Sequence, residues 1–267
     1  MKYISIKNKL LNKESLKRCN LVRRTILKIS QKVSALHIGG SFSSIEIIDC
    51  VYNLLKKKND AFILSKGHAG ILLYTILYLK KKITKKILYS YCEKGSKLGV
   101  HPDYGTYGIT ASTGSLGHGL AIGAGIALAN RQKNVYVLLS DGELQEGSVW
   151  EAVLFISSNR LNNIIVIVDF NGLQSSTWSK DTHPTLEPIE SKFISFGWDS
   201  KTCNGHSTID IYKKIQNHNF KKPLAIVAKT IKGYPISFMK NNPVWHYKSP
   251  NNIEFLSALK ELGNYEK

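Results

Sequence analysis

The most constraining feature of this sequence is a pair of apolar segments, each the length of one β-strand, with a helical stretch between them. Residues 135–139 and 164–168 are apolar or aromatic at every position, while residues 149–160 place apolar side chains at helical spacing. Strands that are apolar on both faces are typical of parallel sheets covered by helices on both sides. The sequence therefore predicts an α/β fold with an open, mostly parallel sheet and helices on both faces.

Shorter segments extend this pattern along the chain. Residues 61–64 and 224–228 predict two further buried strands, and residues 198–202 are another candidate. The glycine-bearing residues 37–41 predict a break between the first two helices. Helices are predicted for residues 14–33, 44–55, 70–79, 117–130, 208–216 and 253–262.

The chain is predicted to form one domain over residues 1–267. It has no internal repeat and no long linker rich in proline, glycine or serine. Residues 1–13 alternate lysine and asparagine with apolar residues, and they are expected to form a flexible start. Residues 232–267 show little periodicity before the last helix, and they are expected to form a carboxy-terminal extension that packs on the surface.

Composition and charge exclude several classes of protein. The 267 residues are 43% hydrophobic, which suffices for a real core, and four scattered cysteines without a CxxC pair argue against a disulfide framework or a zinc site. The net charge of +18 comes mostly from lysine, and the short lysine runs at 56–58 and 80–82 favour solvated faces over a nucleic-acid groove. No apolar run could span a bilayer, and no secretory signal begins the chain. A cytoplasmic protein without nucleic-acid or membrane partners is expected.

Polar residues follow the two central strands at the point where each strand ends. Asp141 and Gly142 come after the first strand, and Asn171 and Gly172 come after the second. Ligands bind at the carboxyl ends of parallel strands, so the Asp141 and Asn171 oxygens are expected to converge there as ligands for Mg²⁺ or Ca²⁺. Gly142 would let a phosphate approach the backbone. Each pair is equally typical of an ordinary turn, and the spacing alone does not choose between these interpretations.

Several short motifs accompany these residues in a definite order. They are His37-Ile38-Gly39-Gly40-Ser41, Ser65-Lys66-Gly67-His68, Gly99-Val100-His101-Pro102, TGSLGHG at 113–119, SDGELQEG at 140–147 and Trp150-Glu151-Ala152. Asp141-Gly142 followed thirty residues later by Asn171 resembles the thiamine diphosphate signature, and the ordered set resembles the amino-terminal section of transketolase over residues 14–250. Two departures point to an altered donor choice or affinity. Ser140 stands where the signature has its first glycine, and residues 173–178 differ from the family's usual Leu-Gln-Ile-Asp-Gly.

The resemblance implies a set of metal and cofactor contacts. Asp141, Asn171 and the main-chain oxygen of Leu173 would ligate Mg²⁺, with Ca²⁺ or Mn²⁺ as substitutes. Glu146 resembles a dimer-interface glutamate in a carboxylate network that links two cofactor sites. The residues implied to contact thiamine diphosphate are His68, Gly114, Ser115, Leu116, Asp141, Gly142, Glu143, Glu146, Asn171 and His246.

Four histidines are implied to be catalytic. His68 and His246 would face the diphosphate and the reacting centre. His37 and His101 would line the substrate channel and handle hydroxyl and carbonyl protons, a task that suits imidazole near neutral pH. The histidines expected to be surface or satisfied core residues are His183, His206 and His218.

The resemblance also implies a partner. Transketolases continue with a pyrimidine-binding domain and a further carboxy-terminal domain, whereas this sequence ends at Lys267. A split transketolase is therefore expected, in which a carboxy-terminal partner subunit completes the site in an α2β2 heterotetramer. The implied reaction transfers a two-carbon ketol unit from a ketose phosphate to an aldose phosphate, as in the pentose phosphate pathway. An exposed apolar patch for the partner is expected.

Two alternatives stay open at this point. The chain could be half of another thiamine diphosphate enzyme, such as a 2-oxo acid decarboxylating component or a transketolase specialised for an unusual ketose. Simple oxo acids, however, do not need the histidines that sugar hydroxyls need. The chain could also be a non-catalytic basic protein that binds nucleic acid or only a partner.

Overall fold

Seven strands are present in the computed structural model, which describes residues 2–34 and 36–263. The strands are β1 (Ala61–Leu64), β2 (Val135–Ser140), β3 (Ile164–Phe170), β4 (Leu173–Gln174), β5 (Thr177–Trp178), β6 (Asp199–Asn204) and β7 (Leu224–Lys229). Five of them form one parallel sheet in the order β1–β2–β3–β7–β6, and β4 and β5 form a separate antiparallel hairpin. The parallel strands predicted at 61–64, 135–139, 164–168 and 224–228 are confirmed.

Helices connect the strands and cover the sheet. They are α1 (Lys2–Ser30), α2 (Ile38–Ser43), α3 (Ile45–Cys50), α4 (Gly70–Leu79), α5 (Lys85–Tyr89), α6 (Gly119–Ala129), α7 (Gly147–Ser158), α8 (Ser179–Thr182), α9 (Ile189–Ser195), α10 (Thr208–Gln216) and α11 (Asn252–Glu261). A π-helical turn over Val51–Leu55 continues α3, and 3₁₀ turns occupy Gly67–Ala69, Gly142–Gln145 and Pro243–His246. Within the described ranges, no helix combines the length and the apolar character needed to cross a membrane.

The two central strands bring their carboxyl ends together. β2 and β3 pair in parallel from Val135 opposite Ile164 to Ser140 opposite Asp169. The loops that follow the two strands therefore begin side by side, as the βαβ interpretation of the sequence predicts.

Apolar side chains of the sheet alternate between two hydrophobic cores, one on each face. Tyr136 and Leu138 of β2 point into a core built with α1, α3, α4 and α10. Val137 and Leu139 point to the opposite face, where α6, α7 and α9 cover the sheet. The predicted fold, an open parallel sheet with helices on both faces, is confirmed.

The break predicted at 37–41 is wrong, because this region contains the short helix α2. Its two glycines are needed for close packing. A Cβ atom on Gly39 would lie 2.7 Å from the Trp245 carbonyl oxygen, and one on Gly40 would lie 3.5 Å from His68 Nε2. The glycine pair therefore marks a site of close approach between backbones, not a turn.

Other boundaries shift by a few residues. The strand predicted at 198–202 begins at Asp199, since Trp198 packs into a core. The first helix begins at Lys2, so residues 2–13 of the expected flexible start are helical. Their flexibility stays a prediction, and Met1 lies outside the described residues.

The extension predicted to pack on the surface over 232–267 contributes to the interior instead. Ile236, Met239 and Trp245 are buried in the core that contains α1. The same segment reaches the carboxyl edge of the sheet with Lys232 and His246. Its apolar residues follow no regular period, so the sequence pattern did not indicate this burial. Residues 264–267 lie outside the described part of the chain.

Candidate active site

A cleft of about 340 Å³ opens at the carboxyl edge of the sheet. Its walls come from α2, from the loops after β1, β2 and β3, from the β4–β5 hairpin and from the segment after β7. The predicted site residues that line it are His37, His68, Gly114, Leu116, Gly142, Glu146, Asn171, Leu173 and His246. The sequence thus located most of one continuous cleft from motifs that lie far apart along the chain.

Asp141 lies directly beneath the cleft and is completely buried. Its Oδ2 accepts a hydrogen bond from the Gly172 amide at 2.6 Å, and its Oδ1 accepts one from the Gly142 amide at 2.9 Å. Burial and the neighbouring Asp169 raise the pKa of Asp141 to about 7, although the two amides oppose that rise. A carboxylate in such a place needs a cation to stay charged at low cost.

The loop after β3 adds further oxygen atoms at the same edge. Asn171 lines the cleft, and its Oδ1 accepts a hydrogen bond from the Leu173 amide at 3.1 Å. Carboxylate, amide and main-chain carbonyl oxygens are the hard donors that Mg²⁺ and Ca²⁺ prefer. The donors present at Asp141, Asn171 and Leu173 therefore fit a metal of this class.

A cluster of three histidines and two lysines forms the opposite wall. The ring centroid of His37 lies 5.4 Å from that of His68 and 5.1 Å from that of His246. Lys66 and Lys232, which are 1% and 2% exposed, line the same cleft. Five groups that can carry positive charge therefore face one small, largely desolvated space.

This cluster suppresses the charge of its own members. Burial, with neighbouring His101, Lys232 and Lys66, lowers the pKa of His37 to about 4. Burial and Lys232 lower the pKa of His246 to about 3, and burial and Lys66 lower that of His68 well below 6.5. The imidazoles are neutral at physiological pH, and an anion in the cleft would raise their pKa values again. The buried Nδ1 of His37 has no hydrogen-bond partner, so it is free to meet a ligand.

Lys66 anchors a buried network that the sequence did not reveal. Its Nζ lies 2.5 Å from Asp169 Oδ2 and donates to the Gly40 carbonyl oxygen at 2.9 Å. Ser43 and Ser44 also donate to Asp169 Oδ2, at 2.6 and 2.8 Å. Lys66 and these hydroxyls lower the pKa of Asp169 despite its burial. The network fixes α2 and the end of β1 against the end of β3, the strand that leads to Asn171.

Lys232 also escaped the sequence analysis. Its Nζ donates to the Ser175 carbonyl oxygen at 3.2 Å and lies 3.0 Å from His246 Nδ1. Burial and Lys66 lower the pKa of Lys232 from 10.5 to about 8, which still leaves it mostly charged at neutral pH. Lys232 lies in a segment without periodicity, so no local pattern indicated it.

Some predicted contacts lie outside the cleft. Glu143 is buried beneath it and accepts hydrogen bonds from Ser65 Oγ at 2.5 Å and the Gly117 amide at 2.9 Å, so it joins two loops and does not face a ligand. Ser115 is exposed and does not line the cleft. His101 lies just behind the wall, since a Cβ atom on Gly114 would be 2.9 Å from its ring.

Gly142 has a packing reason that the sequence analysis did not include. A Cβ atom there would lie 2.8 Å from Gln174 Cβ, so only glycine lets the β4–β5 hairpin close over the loop after β2. Gln174 Nε2 in turn donates to Thr182 Oγ1 at 2.5 Å. The segment that departs from the usual family sequence is therefore part of the cleft wall.

Removal of the Lys232 charge should stabilise the chain while it weakens anion binding. The lowered pKa means that the unfolded chain binds more protons between pH 8 and 10.5, so the free energy of unfolding rises with pH in that window. We expect Lys232→Met to unfold with about 1–3 kcal/mol more free energy at pH 7 in the absence of ligand, and to lack the rise above pH 8. Urea denaturation at pH 7, 9 and 10.5 measures both effects, and a destabilised variant would contradict this account.

Apolar side chains are exposed on two neighbouring helices, as the sequence analysis expected for a partner surface. Ile122 and Leu128 of α6 and Leu154 and Phe155 of α7 all face solvent. The two helices pack against each other on one face of the sheet. Patches of this kind are typical of protein–protein interfaces.

Comparison with known proteins gives a consistent result. The family described as "transketolase, thiamine diphosphate binding domain" matches residues 19–263. One of the two named subunits of apulose-4-phosphate transketolase from Actinobacillus succinogenes is 36% identical, over 92% of this chain and 95% of that protein. The protein of the same name from Phocaeicola vulgatus is 32% identical, over 90% of each chain. A "6-deoxy-6-sulfo-D-fructose transketolase subunit" of Clostridium sp. strain MSTE9 is 33% identical, over 91% of this chain and 94% of that one.

A solved structure shares the fold. Transketolase from Campylobacter jejuni superimposes with a TM-score of 0.86 at 26% sequence identity. The match covers 94% of this chain but only 43% of that one. The chain thus corresponds to less than half of the larger enzyme.

Proposed function

This chain belongs to the transketolase family, as its amino-terminal, thiamine diphosphate-binding part, and we propose that it holds Mg²⁺ and thiamine diphosphate in the cleft described above. The observation that carries the proposal is the meeting of two opposite surfaces within one cleft. Buried oxygen donors lie on one side, and a cluster of histidines and lysines lies on the other. A metal bound to a diphosphate complements both surfaces.

The metal would be held by three oxygen donors of this chain. Asp141 supplies a carboxylate oxygen, Asn171 its Oδ1 and Leu173 its main-chain oxygen, and Ca²⁺ or Mn²⁺ could replace Mg²⁺ at the same donors. Support comes from the raised pKa of Asp141, because a bound cation offsets the cost of its buried charge.

The diphosphate would lie against the basic wall. His68 and His246 would donate hydrogen bonds to it, Lys66 and Lys232 would neutralise its charge, and Gly142 would allow its close approach. The carbanion chemistry of the transfer is supplied by thiamine diphosphate when it is bound. The aminopyrimidine end would contact the backbone of Gly114, Ser115 and Leu116, and Glu146 would reach the partner at the rim.

The substrate would meet His37 and His101. The lowered pKa of His37 keeps it neutral at pH 7, so it can accept a proton from a sugar hydroxyl or donate a hydrogen bond to a carbonyl oxygen. Such contacts would stabilise the oxygen on which charge develops during transfer. The two histidines are thus assigned to the sugar, whereas His68 and His246 are assigned to the cofactor.

A second polypeptide would complete the enzyme. Three relatives of similar length are named as subunits of a transketolase, and these names, together with the exposed patch on α6 and α7, support a split transketolase. We propose an α2β2 assembly in the cytoplasm, in which the partner contributes the pyrimidine-binding half. The relatives are named for apulose 4-phosphate and for 6-deoxy-6-sulfo-D-fructose. An unusual ketose is accordingly a candidate donor beside the ketose phosphates of the pentose phosphate pathway.

Reconstitution with the partner tests this function. The partner is the chain, encoded near this one, that carries the pyrimidine-binding half. Neither chain alone should transfer a two-carbon unit, whereas the mixture with Mg²⁺ and thiamine diphosphate should do so. Apulose 4-phosphate, xylulose 5-phosphate, fructose 6-phosphate and 6-deoxy-6-sulfo-D-fructose would each be tested as donor with an aldose phosphate as acceptor.

Two results would contradict the proposal. Decarboxylation of pyruvate without ketol transfer would favour a 2-oxo acid component. Salt-sensitive binding of DNA or RNA without affinity for thiamine diphosphate would favour a basic binding protein.

A further inference from the structure

We propose that His206 is a positioning residue of this site: it holds the segment 230–234 so that Lys232 points into the cleft. The inference rests on the proposed function, because Lys232 matters only if the cleft binds an anion. The sequence analysis expected His206 to be a satisfied core residue without a functional role. Its contacts show instead that it joins the far face of the sheet to the basic wall.

The imidazole of His206 makes a specific bond to the residue before Lys232. The Ile231 amide donates to His206 Nε2 at 2.8 Å, so this nitrogen carries no proton. The other nitrogen, Nδ1, lies 3.4 Å from Glu46 Oε2 and carries the ring proton towards that carboxylate. The ring also stacks on Tyr234, with centroids 3.9 Å apart and planes inclined by 25°.

A buried ion pair fixes this imidazole from behind. Arg23 Nη2 on α1 lies 2.5 Å from Glu46 Oε1 on α3, and both side chains are almost completely buried. Arg23 Nε also donates to the Tyr234 carbonyl oxygen at 3.3 Å. The segment is therefore held at Ile231 through His206 and at Tyr234 through Arg23, on either side of Lys232.

The neighbouring backbone leaves Lys232 little freedom. The Gly233 amide donates to the Gly39 carbonyl oxygen at 3.1 Å, and the Thr230 amide donates to the Phe170 carbonyl oxygen at 2.9 Å. Lys232 itself is 2% exposed and surrounded by other basic groups. A desolvated lysine beside Lys66 and His246 is repelled in the absence of an anion, so a rigid backbone is needed to keep it in place.

Two substitutions separate this role from general stability. His206→Phe keeps a ring on Tyr234 but removes the acceptor for the Ile231 amide. His206→Gln places a carbonyl oxygen at a similar reach and restores the acceptor. His218→Gln is the matched control, because His218 is also buried and bonded to a carbonyl oxygen, that of Lys222, before the amino end of β7.

Two measurements on the full chain test the proposal. Hydrogen exchange of the amides at 231–234 should be about tenfold faster in His206→Phe than in the wild type. Affinity for inorganic pyrophosphate with Mg²⁺, measured by calorimetry, should fall about tenfold. His206→Gln should recover most of both losses, and His218→Gln should leave both unchanged. In a Lys232→Met background, His206→Phe should cost no further affinity, because the two residues act through one contact.

Clear results would overturn the inference. Unchanged exchange at 231–234 in His206→Phe would remove the clamp, and so would an equal loss of pyrophosphate affinity in the presence and absence of Lys232. If the wild-type chain bound no pyrophosphate, the proposed function would fail. The exchange measurement would still decide whether His206 holds the segment.

Discussion

Replacement of Asp141 by alanine should abolish Mg²⁺-dependent binding of thiamine diphosphate, with a loss of more than about 100-fold in affinity. Residues that merely orient a metal ligand already contribute about 10–100-fold to metal affinity, so a direct ligand should contribute more. Asp141 is the carboxylate among the three proposed donors, and it lies at the end of β2 beside the end of β3. Its loss would leave one amide and one carbonyl oxygen to face a divalent ion.

The measurement is calorimetric titration of the assembled enzyme with thiamine diphosphate, with and without Mg²⁺. Asp60→Ala is the matched control. Asp60 is also a buried carboxylate, and it accepts backbone hydrogen bonds from Lys57 and Asn134 at 2.8 and 3.0 Å. It precedes β1 and so lies at the opposite edge of the sheet. Retained cofactor affinity in Asp141→Ala, with circular dichroism showing a folded chain, would sink the metal assignment.

The second large effect concerns stability. Lys66→Met should lower the free energy of unfolding by about 3–5 kcal/mol, the typical cost of leaving one member of a buried ion pair without its partner. Asp169 is fully buried, and the hydroxyls of Ser43 and Ser44 would then compensate its charge only in part. The methionine retains most of the side-chain volume, so the change removes charge and hydrogen bonds with little change in packing.

Urea denaturation of three further variants checks this expectation. Lys66→Met combined with Asp169→Asn removes both charges and should recover most of the loss. Lys32→Met breaks an exposed pair with Glu93 at 3.5 Å and should change stability by less than about 1 kcal/mol. A loss in Lys66→Met no larger than that in Lys32→Met would show that the buried pair contributes little.

The sheet was predictable because its strands carry a simple pattern. β2 and β3 are apolar at nearly every position, and only a parallel sheet covered on both faces buries such strands. The helix α2 was not predictable in this way. Gly39 and Gly40 normally interrupt helices, and the reason for them is the approach of Trp245 and His68, which are remote in sequence. Patterns over a few residues do not contain such contacts.

The candidate site divides along the same line. Asp141 and Asn171 were found because strand ends converge in every open parallel sheet. Lys66 lies inside a motif that the resemblance singled out, yet its partner Asp169 ends an apolar strand and has no local signature. Glu143 illustrates the converse error. It belongs to the same motif as Asp141, but the helical turn that follows β2 directs it beneath the cleft, where it bonds to Ser65.

The segment after β7, which carries Lys232 and His246, has a consequence for how this protein is made. The ribosome delivers the chain from its amino terminus, so the strand ends with Asp141 and Asn171 emerge well before His246. Until then, the growing polypeptide presents buried acidic oxygens without the cationic wall that faces them. The cleft becomes complete only when contacts between the most distant parts of the sequence have formed, and such contacts form slowly. Capture of the cofactor can therefore serve as a sign that translation of this segment is finished, and a nascent chain released earlier would leave the ribosome without it.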